Sequence, residues 1–126
     1  MESAQPVLTV KSVYDAVDWY ERVLGFSAVY LNEEPNEPDS LNYAVLSRGR
    51  VGVHLGREGD MGVIAGNGGA NFVTRDYDAL LAAARDSGAQ FHVEPGEIPT
   101  GARTFGIRDP DGNLLTFVEA DVGADA

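Results

Sequence analysis

Residues 13–26 read VYDAVDWYERVLGF, and this stretch predicts an amphipathic helix that ends at a glycine. Its apolar residues recur at spacings of four, three and four, which is the period of one helical face. They are Val13, Val17, Tyr20 and Leu24. Ser12 with Asp15 resembles a capping box at the start, and Gly25 suits a left-handed residue at the end.

The elements around this helix are predicted in the same order twice. Short strands are expected at 6–10, 26–31, 41–48 and 51–55, and again at 70–75, 89–94, 103–108 and 113–119. Asp76 is a good N-cap for a second helix, which closes at Gly88. Each half is therefore predicted to be a β-α-β-β-β module, and the whole an α+β fold with two such modules in tandem.

Sparse identities between the halves support a duplication. They fall at a common offset of 63 residues. The matches are Tyr14-Asp15-Ala16 with Tyr77-Asp78-Ala79, Val10 with Val73, and Gly25 with Gly88. Because each tripeptide opens a predicted helix, we expect the two helices to be equivalent.

The segments between the predicted elements define one domain over residues 1–126, with a first module at about 5–55 and a second at about 70–120. Residues 56–69 hold six glycines in fourteen positions and are expected to be a flexible linker. Residues 32–40 and 95–102 are predicted loops, Asp109-Pro110-Asp111-Gly112 is a strong turn signal, and 121–126 is expected to be a frayed tail.

The composition excludes several kinds of chemistry. The 126 residues include no Cys, which removes disulfides, thiolate metal sites and cysteine nucleophiles. There are two histidines, His54 and His92, so one chain cannot supply three imidazoles. His92 lies between Phe91 and Val93 and is expected to point outward.

The charge balance is strongly acidic. Twenty Asp and Glu against nine Lys and Arg give a net charge of −11, which disfavours nucleic acid and membrane surfaces and favours a cationic small molecule. The first six residues lack the apolar core of a secretory signal, and no apolar run approaches about 18 residues. We therefore expect a cytoplasmic protein.

Two motifs resemble one known superfamily. Val7-Leu8-Thr9-Val10 followed by Trp19-Tyr20-Glu21-Arg22-Val23-Leu24-Gly25-Phe26 is similar to its opening signature, and Asp109-Pro110-Asp111-Gly112-Asn113 before a final strand is similar to its ending. The chain is identified by this pattern, over about residues 5–120, as a member of the vicinal oxygen chelate superfamily. The resemblance implies cupped mixed sheets of the glyoxalase/bleomycin-resistance type, usually as a dimer.

The resemblance also implies where a metal would be held in the metal-dependent members. The four ligand positions fall on Gln5, His54, Gly69 (or Ala70 if the register shifts by one) and Thr116. Only His54 is a strong ligand, while catalytic metal sites commonly keep three. We therefore expect no bound metal and no cofactor.

Ligand binding fits the remaining residues better than catalysis. Tyr43 and Phe105 occupy the middle strands of the two halves, where a cupped sheet meets a planar ligand. His54 faces the cavity if the family position holds, and Gln5 and Thr116 complete the predicted binding residues. No catalytic residue is predicted.

The leading hypothesis is non-catalytic sequestration of a small, aromatic and cationic natural product, as in bleomycin-type antibiotic resistance, in a groove of a homodimer. The homodimer is expected because a chain of this length cannot cover both faces of its sheets. The alternatives are a metal-dependent glyoxalase-like lyase, isomerase or dioxygenase, and a regulatory domain without enzymatic activity.

Overall fold

A computed structural model describes residues 1–120 and contains two four-stranded mixed sheets with helices packed on them. The strands are β1 Val7–Val10, β2 Ser27–Asn32, β3 Tyr43–Arg48, β4 Val51–Arg57, β5 Gly69–Thr74, β6 Phe91–Glu97, β7 Arg103–Arg108 and β8 Leu114–Glu119. The α-helices are α1 Val13–Leu24, α2 Glu58–Met61 and α3 Tyr77–Asp86, and a 3-10 turn spans Pro38–Ser40.

The two sheets have the same topology. Their strand orders are β1-β4-β3-β2 and β5-β8-β7-β6. In each sheet the first pair is parallel and the other pairs are antiparallel. This confirms the predicted α+β fold with two tandem β-α-β-β-β modules.

The helix α1 forms as its sequence predicts. The Ser12 hydroxyl accepts from the backbone N–H of Asp15 at 3.1 Å, and Gly25 ends the helix with a φ of 72°. Its buried face is Val13, Ala16, Tyr20, Val23 and Leu24. That face packs on β3 and β4, so the opposite face of the first sheet is free of α1.

A row of aromatic rings joins the cores of the two modules. Tyr20 lies 6.1 Å from Phe26, and Phe26 lies 6.3 Å from Phe72 between ring centroids. Phe72 then stacks on Phe117 at 5.3 Å. All four rings are buried, so the two modules share one hydrophobic core.

The predicted turn at 109–112 is also a joint between the modules. Asp109 is buried, and its Oδ1 accepts from the backbone N–H groups of Asp111, Gly112 and Asn113. Its Oδ2 accepts from the Tyr20 hydroxyl at 2.8 Å and from the Asn113 amide at 2.9 Å. Burial, and then the charge of Asp109, raise the pKa of Tyr20 well above its usual value, so the phenol remains a donor.

Asn113 extends this joint to the first strand. Its Nδ2 donates to the carbonyl of Thr9 at 3.0 Å, and its Oδ1 accepts from the N–H of Gly68 at 2.9 Å. The sequence explained Asp109 and Asp111 by the turn alone. The structure adds that the turn's buried side chains hold the first module.

Two predicted irregular segments contain regular structure. Residues 56–69 are not simply a linker: β4 runs to Arg57, α2 follows, and Gly69 already belongs to β5. Gly66 has a φ of 86°, and a Cβ there would lie 2.0 Å from the carbonyl oxygen of Asp111, so the segment is pressed against the joint. The predicted loop 95–102 begins inside β6, which continues to Glu97. The predicted frayed tail 121–126 lies outside the described residues.

The two modules repeat one topology, but the matched tripeptides do not occupy equivalent positions in them. Tyr14 is 65% exposed, whereas Tyr77 is 3% exposed and packs in the core. The N-caps Ser12 and Asp76 are 64 residues apart, while Gly25 and Gly88 are 63 apart. The second helix is therefore shorter, and its first residue, Tyr77, takes the place of Val13.

Candidate ligand-binding site

The first sheet has an open face, which we define as the face turned away from α1. On β3 and β4 the core side carries Ala44, Leu46, Val53 and Leu55, all fully buried. Since side chains alternate along a strand, the open face carries Tyr43 and Val45 on β3 and His54 on β4. Tyr43 and His54 are both half-buried.

Three predicted binding residues form one hydrogen-bonded chain on this open face. The Tyr43 hydroxyl lies 2.6 Å from Nδ1 of His54, and Nε2 of His54 lies 2.7 Å from Oε1 of Gln5. A carbonyl oxygen only accepts, so Nε2 donates to Gln5, and in that tautomer of the ring Nδ1 accepts from the phenol. The imidazole is therefore hydrogen-bonded through both ring nitrogens, with its ring edge-on to Tyr43 at 5.5 Å.

Two glycines on either side of His54 make room for this arrangement. A Cβ on Gly52 would lie 2.6 Å from Cδ of Gln5, and a Cβ on Gly56 would lie 2.6 Å from Sδ of Met61. The side chains of Gln5 and Met61 therefore lie flat on the strand where these glycines leave space. The sequence signal that was missed is the alternation Gly52-Val53-His54-Leu55-Gly56, which puts both glycines on the histidine's face.

The neighbours of His54 across the sheet are apolar or aromatic. Val7 on β1 and Val45 on β3 are its register partners, and Tyr30 on β2 pairs with Val45. Val7 is 46% exposed and Tyr30 is 53% exposed. The open face thus offers a polar chain set between accessible apolar surfaces, which suits an amphipathic planar molecule.

The acidic loop begins beside this surface. Asn32 ends β2 and is the register partner of Tyr43, and its Nδ2 donates to Oδ1 of Asn42 at 2.8 Å. Residues 33–40 follow directly, and a surface hollow of about 570 Å³ is lined by residues 33–37. The loop therefore starts directly after the residue that pairs with Tyr43 across the sheet. It carries four carboxylates, those of Glu33, Glu34, Glu37 and Asp39.

Thr116 lies on the corresponding face of the second sheet. Its register partners are Asn71 on β5 and Gly106 on β7, and Val93 on β6 pairs with Gly106. Thr116 is half-buried. No hydrogen bond within residues 1–120 links Thr116 to the chain of Tyr43, His54 and Gln5, and Thr116 lies on the other sheet.

Phe105 is a core residue, which corrects the prediction that it faces a ligand. It is fully buried, with its ring 4.9 Å from Phe117 and 5.3 Å from Tyr77. The prediction placed it on a middle strand but ignored the alternation along that strand. Phe105 pairs with Phe117 on the side of α3, so Thr104 and Gly106 take the open face. His92 is exposed, as predicted, and contacts Arg108.

The residues at the implied ligand positions do not fit a metal ion. His54 is the one strong ligand, and both of its ring nitrogens are engaged by Tyr43 and Gln5. Gly69 and Ala70 have no ligating side chain, and Thr116 offers only a neutral hydroxyl. Among residues 1–120, no three His, Asp or Glu side chains are grouped closely enough to hold an ion.

Comparisons with solved structures agree with this fold. TioX from Micromonospora sp. ML1 is 24% identical with a TM-score of 0.79, covering 93% of this chain and 98% of that chain. A superfamily member from Sphaerobacter thermophilus DSM 20745 is 26% identical with a TM-score of 0.77, covering 95% and 98%. A bleomycin-binding protein solved in complex with bleomycin is 21% identical with a TM-score of 0.73, covering 96% and 100%.

Sequence comparisons identify the family but no individual relative. No curated protein matches the chain significantly. Among the described residues, no helix is both long and apolar enough to cross a membrane. A family model matches residues 3–117, nearly the whole described chain. The chain therefore belongs to the Glyoxalase/Bleomycin resistance protein/Dioxygenase superfamily.

Proposed function

We propose that this protein binds and sequesters a small, aromatic and cationic compound, such as a bleomycin-type antibiotic, without chemically changing it. The observation that carries the proposal is the chain from Tyr43 through His54 to Gln5 on the open face of the first sheet. The chain offers fixed hydrogen-bonding groups, and it uses the one imidazole that a metal would need. The bleomycin-binding protein with the same fold supports this class of ligand.

The aromatic part of the ligand would contact Tyr43 and Tyr30. Tyr43 is held by His54, and more than half of Tyr30 is exposed on the same face. Stacking on a fixed ring contributes about 0.5–1.5 kcal/mol beyond the buried area. Val7 and Val45 would cover the rest of an aromatic body.

The positive charge of the ligand is favoured by the acidic field. The net charge is −11, and the loop with four carboxylates starts directly after Asn32, the register partner of Tyr43. Exposed charges are screened beyond about 8 Å at physiological salt, so their effect is mainly on the association rate.

A homodimer would complete the binding groove. Accessible apolar side chains lie on both open faces, with Val7 46% exposed on the first and Val73 65% exposed on the second. A second copy that sets its second sheet against the first sheet would cover these surfaces and bring Thr116 near His54. Light scattering is expected to give twice the chain mass of 13.4 kDa, and a monomer at micromolar concentration would contradict it.

A binding experiment with metal-free bleomycin tests the proposal. Calorimetry is expected to show binding, and mass spectrometry to show an unchanged ligand. Tyr43→Ala is expected to speed dissociation about tenfold, because ring stacking and the support of His54 are both lost. Tyr14→Ala is the control, since Tyr14 is an exposed tyrosine on α1. The proposal is overturned if neither bleomycin nor another planar cation binds, or if the bound ligand is chemically converted.

The charge contribution is tested separately. Changing Glu33, Glu34 and Glu37 to Gln and Asp39 to Asn is expected to slow association and flatten its salt dependence, with little change in dissociation. Tyr43→Ala is expected to speed dissociation by an amount nearly independent of salt, with little change in the association rate. Equal association rates of the unmodified protein at low and high salt would show that the acidity serves solubility only.

A further inference from the structure

A second cavity lies between the two modules and shares one residue with the His54 site. Its volume is about 560 Å³. Its walls are the N-terminal segment, the β3–β4 hairpin and the edge strand β5. The polar side chains among its lining residues are Gln5, Arg50 and Asn71, and the apolar ones include Val51 and Val73.

Among residues 1–120, Arg50 is the only charged residue in this lining. It sits at the tip of the β3–β4 hairpin, and within residues 1–120 its guanidinium has no ion pair or hydrogen bond. By contrast, Arg48 two residues earlier pairs with Asp76 at 3.2 Å. In a chain with twenty acids and nine bases, it is unusual that no acid of the described part of the chain lines the cavity beside this arginine.

Two side-chain amides beside Arg50 also have free donors. Gln5 uses Oε1 to accept from His54, and its Nε2 donates to no described residue. The Asn71 side chain is exposed on β5 and likewise has no partner among the described residues. A guanidinium with two neighbouring amide donors matches the acceptor pattern of a carboxylate.

We infer that this cavity binds a carboxylate on the ligand through Arg50, with the amides of Gln5 and Asn71 as further donors. The inference rests on the proposed function, because Gln5 links the cavity to the His54 site. The inference narrows the ligand class to aromatic compounds that carry a carboxylate as well as an amine. The acidic surface of the protein attracts the amine, while Arg50 in the cavity binds the carboxylate and so orients the ligand.

Isosteric probes test the inference. Indole-3-acetate and indole-3-acetamide share one ring and differ in the charge of one group. NMR titration of the full chain is expected to show the acetate binding about tenfold more tightly, since a charge-assisted pair is roughly twice as strong as a neutral one. Arg50→Met is expected to reduce this preference to about one, and Arg50→Lys to retain part of it.

The control is Arg85→Met, which removes the same charge from the exposed surface of α3. It is expected to leave the preference for the acetate unchanged. Equal binding of the two probes, or a preference that survives Arg50→Met, would overturn the inference.

Tryptamine separates this inference from the proposed function. If Tyr43→Ala weakens tryptamine binding while indole-3-acetate and indole-3-acetamide bind equally well, the inference fails and the proposed function stands. If the preference for indole-3-acetate is lost in Arg50→Met while Tyr43→Ala weakens the binding of no probe, the cavity binds a carboxylate but the His54 site is not a ligand-binding site. If no indole probe binds, the inference fails, and the titration with metal-free bleomycin decides the proposed function.

Discussion

The two modules share a topology and differ in the row of side chains that crosses the middle of each open face. In the first sheet this row is Val7, His54, Val45 and Tyr30. In the second it is Asn71, Thr116, Gly106 and Val93. One row contains an imidazole and an aromatic ring, and the other contains small or uncharged groups. The repeated topology therefore places equivalent side chains at equivalent positions on the two open faces, and the identity of a few of these side chains decides which groups each face offers to a ligand.

The buried joint holds the two modules together alongside their shared aromatic core, and breaking the joint has the largest expected effect. Asp109→Ala leaves the Tyr20 hydroxyl, one N–H of the Asn113 amide and the backbone N–H groups of Asp111 and Asn113 without their acceptor, while the Gly112 N–H keeps the backbone carbonyl of residue 109. We expect a loss of about 3–5 kcal/mol in the free energy of unfolding, since each buried unpaired donor costs about 1–3 kcal/mol. Urea unfolding measures it.

Asp86→Ala is the control for this variant, because Asp86 is exposed at the end of α3. It is expected to change stability by less than about 0.5 kcal/mol. A similar small effect from Asp109→Ala would show that the modules are held together by their shared aromatic core alone.

Matched glycine substitutions compare the packing of the two rows. A Cβ on Gly106 would lie 3.1 Å from Cβ and Cγ2 of Val93, a branched side chain fixed on β6. Gly106→Ala is therefore expected to cost about 1–3 kcal/mol through overpacking. Gly52→Ala is expected to cost less than about 0.5 kcal/mol, because its Cβ displaces only the flexible end of Gln5.

The same pair separates stability from binding. Gly52→Ala is expected to weaken ligand binding, since Gln5 leaves His54, while thermal unfolding stays near that of the unmodified protein. If Gly52→Ala proves as destabilising as Gly106→Ala, the Gln5 segment is a rigid part of the fold and the comparison is wrong.

Substitution of the central residue in each row measures its part in binding. His54→Ala is expected to weaken binding of metal-free bleomycin about tenfold, because a fixed hydrogen bond and the support of Tyr43 are lost together. Thr116→Val keeps the shape and removes one hydroxyl, so about a twofold loss is expected. Calorimetry gives both values, and a larger loss from Thr116→Val would reverse the assignment of the two rows.

The smallest expected effect concerns the ends of β4 and β8, where the modules carry opposite charges. Arg57 ends β4 and pairs with Asp60, whereas Glu119 ends β8 and pairs with Arg103. The hydrogen bonds from Arg103 lower the pKa of Glu119. A carboxylate whose pKa is lower in the folded state stabilises above its unfolded pKa, and this contribution is lost as the pH falls through the folded value.

We therefore expect Glu119→Gln to be slightly less stable than the unmodified protein at pH 7, with the two urea midpoints converging as the pH falls through the lowered pKa of Glu119. The effect is small because both side chains are about one-third exposed. Midpoints that stay apart in acid would show that the amide disturbs β8 by something other than charge.

The regular elements were predictable because their signals are local. Ser12, Gly25 and the spacing of apolar residues determined α1, and the Asp109–Gly112 turn determined the link between β7 and β8. The errors arose where periodicity gave no guidance. The glycines at 56–69 predicted a linker, but Arg57 and Met61 fall in regular structure because β4 and α2 pack on β1.

The sequence by itself determined the two modules, the family motifs and the acidity, and it led to the prediction that His54, Tyr43 and Gln5 bind a ligand. Only the tertiary structure decided that these three side chains join in one chain and that Phe105 is buried in the core. The reason is that the facing of a strand residue depends on register, which is set by partners far away in sequence. The same holds for Arg50, which has no ion pair or hydrogen bond among residues 1–120, because a missing partner is a property of the folded surface rather than of a residue's place in the chain.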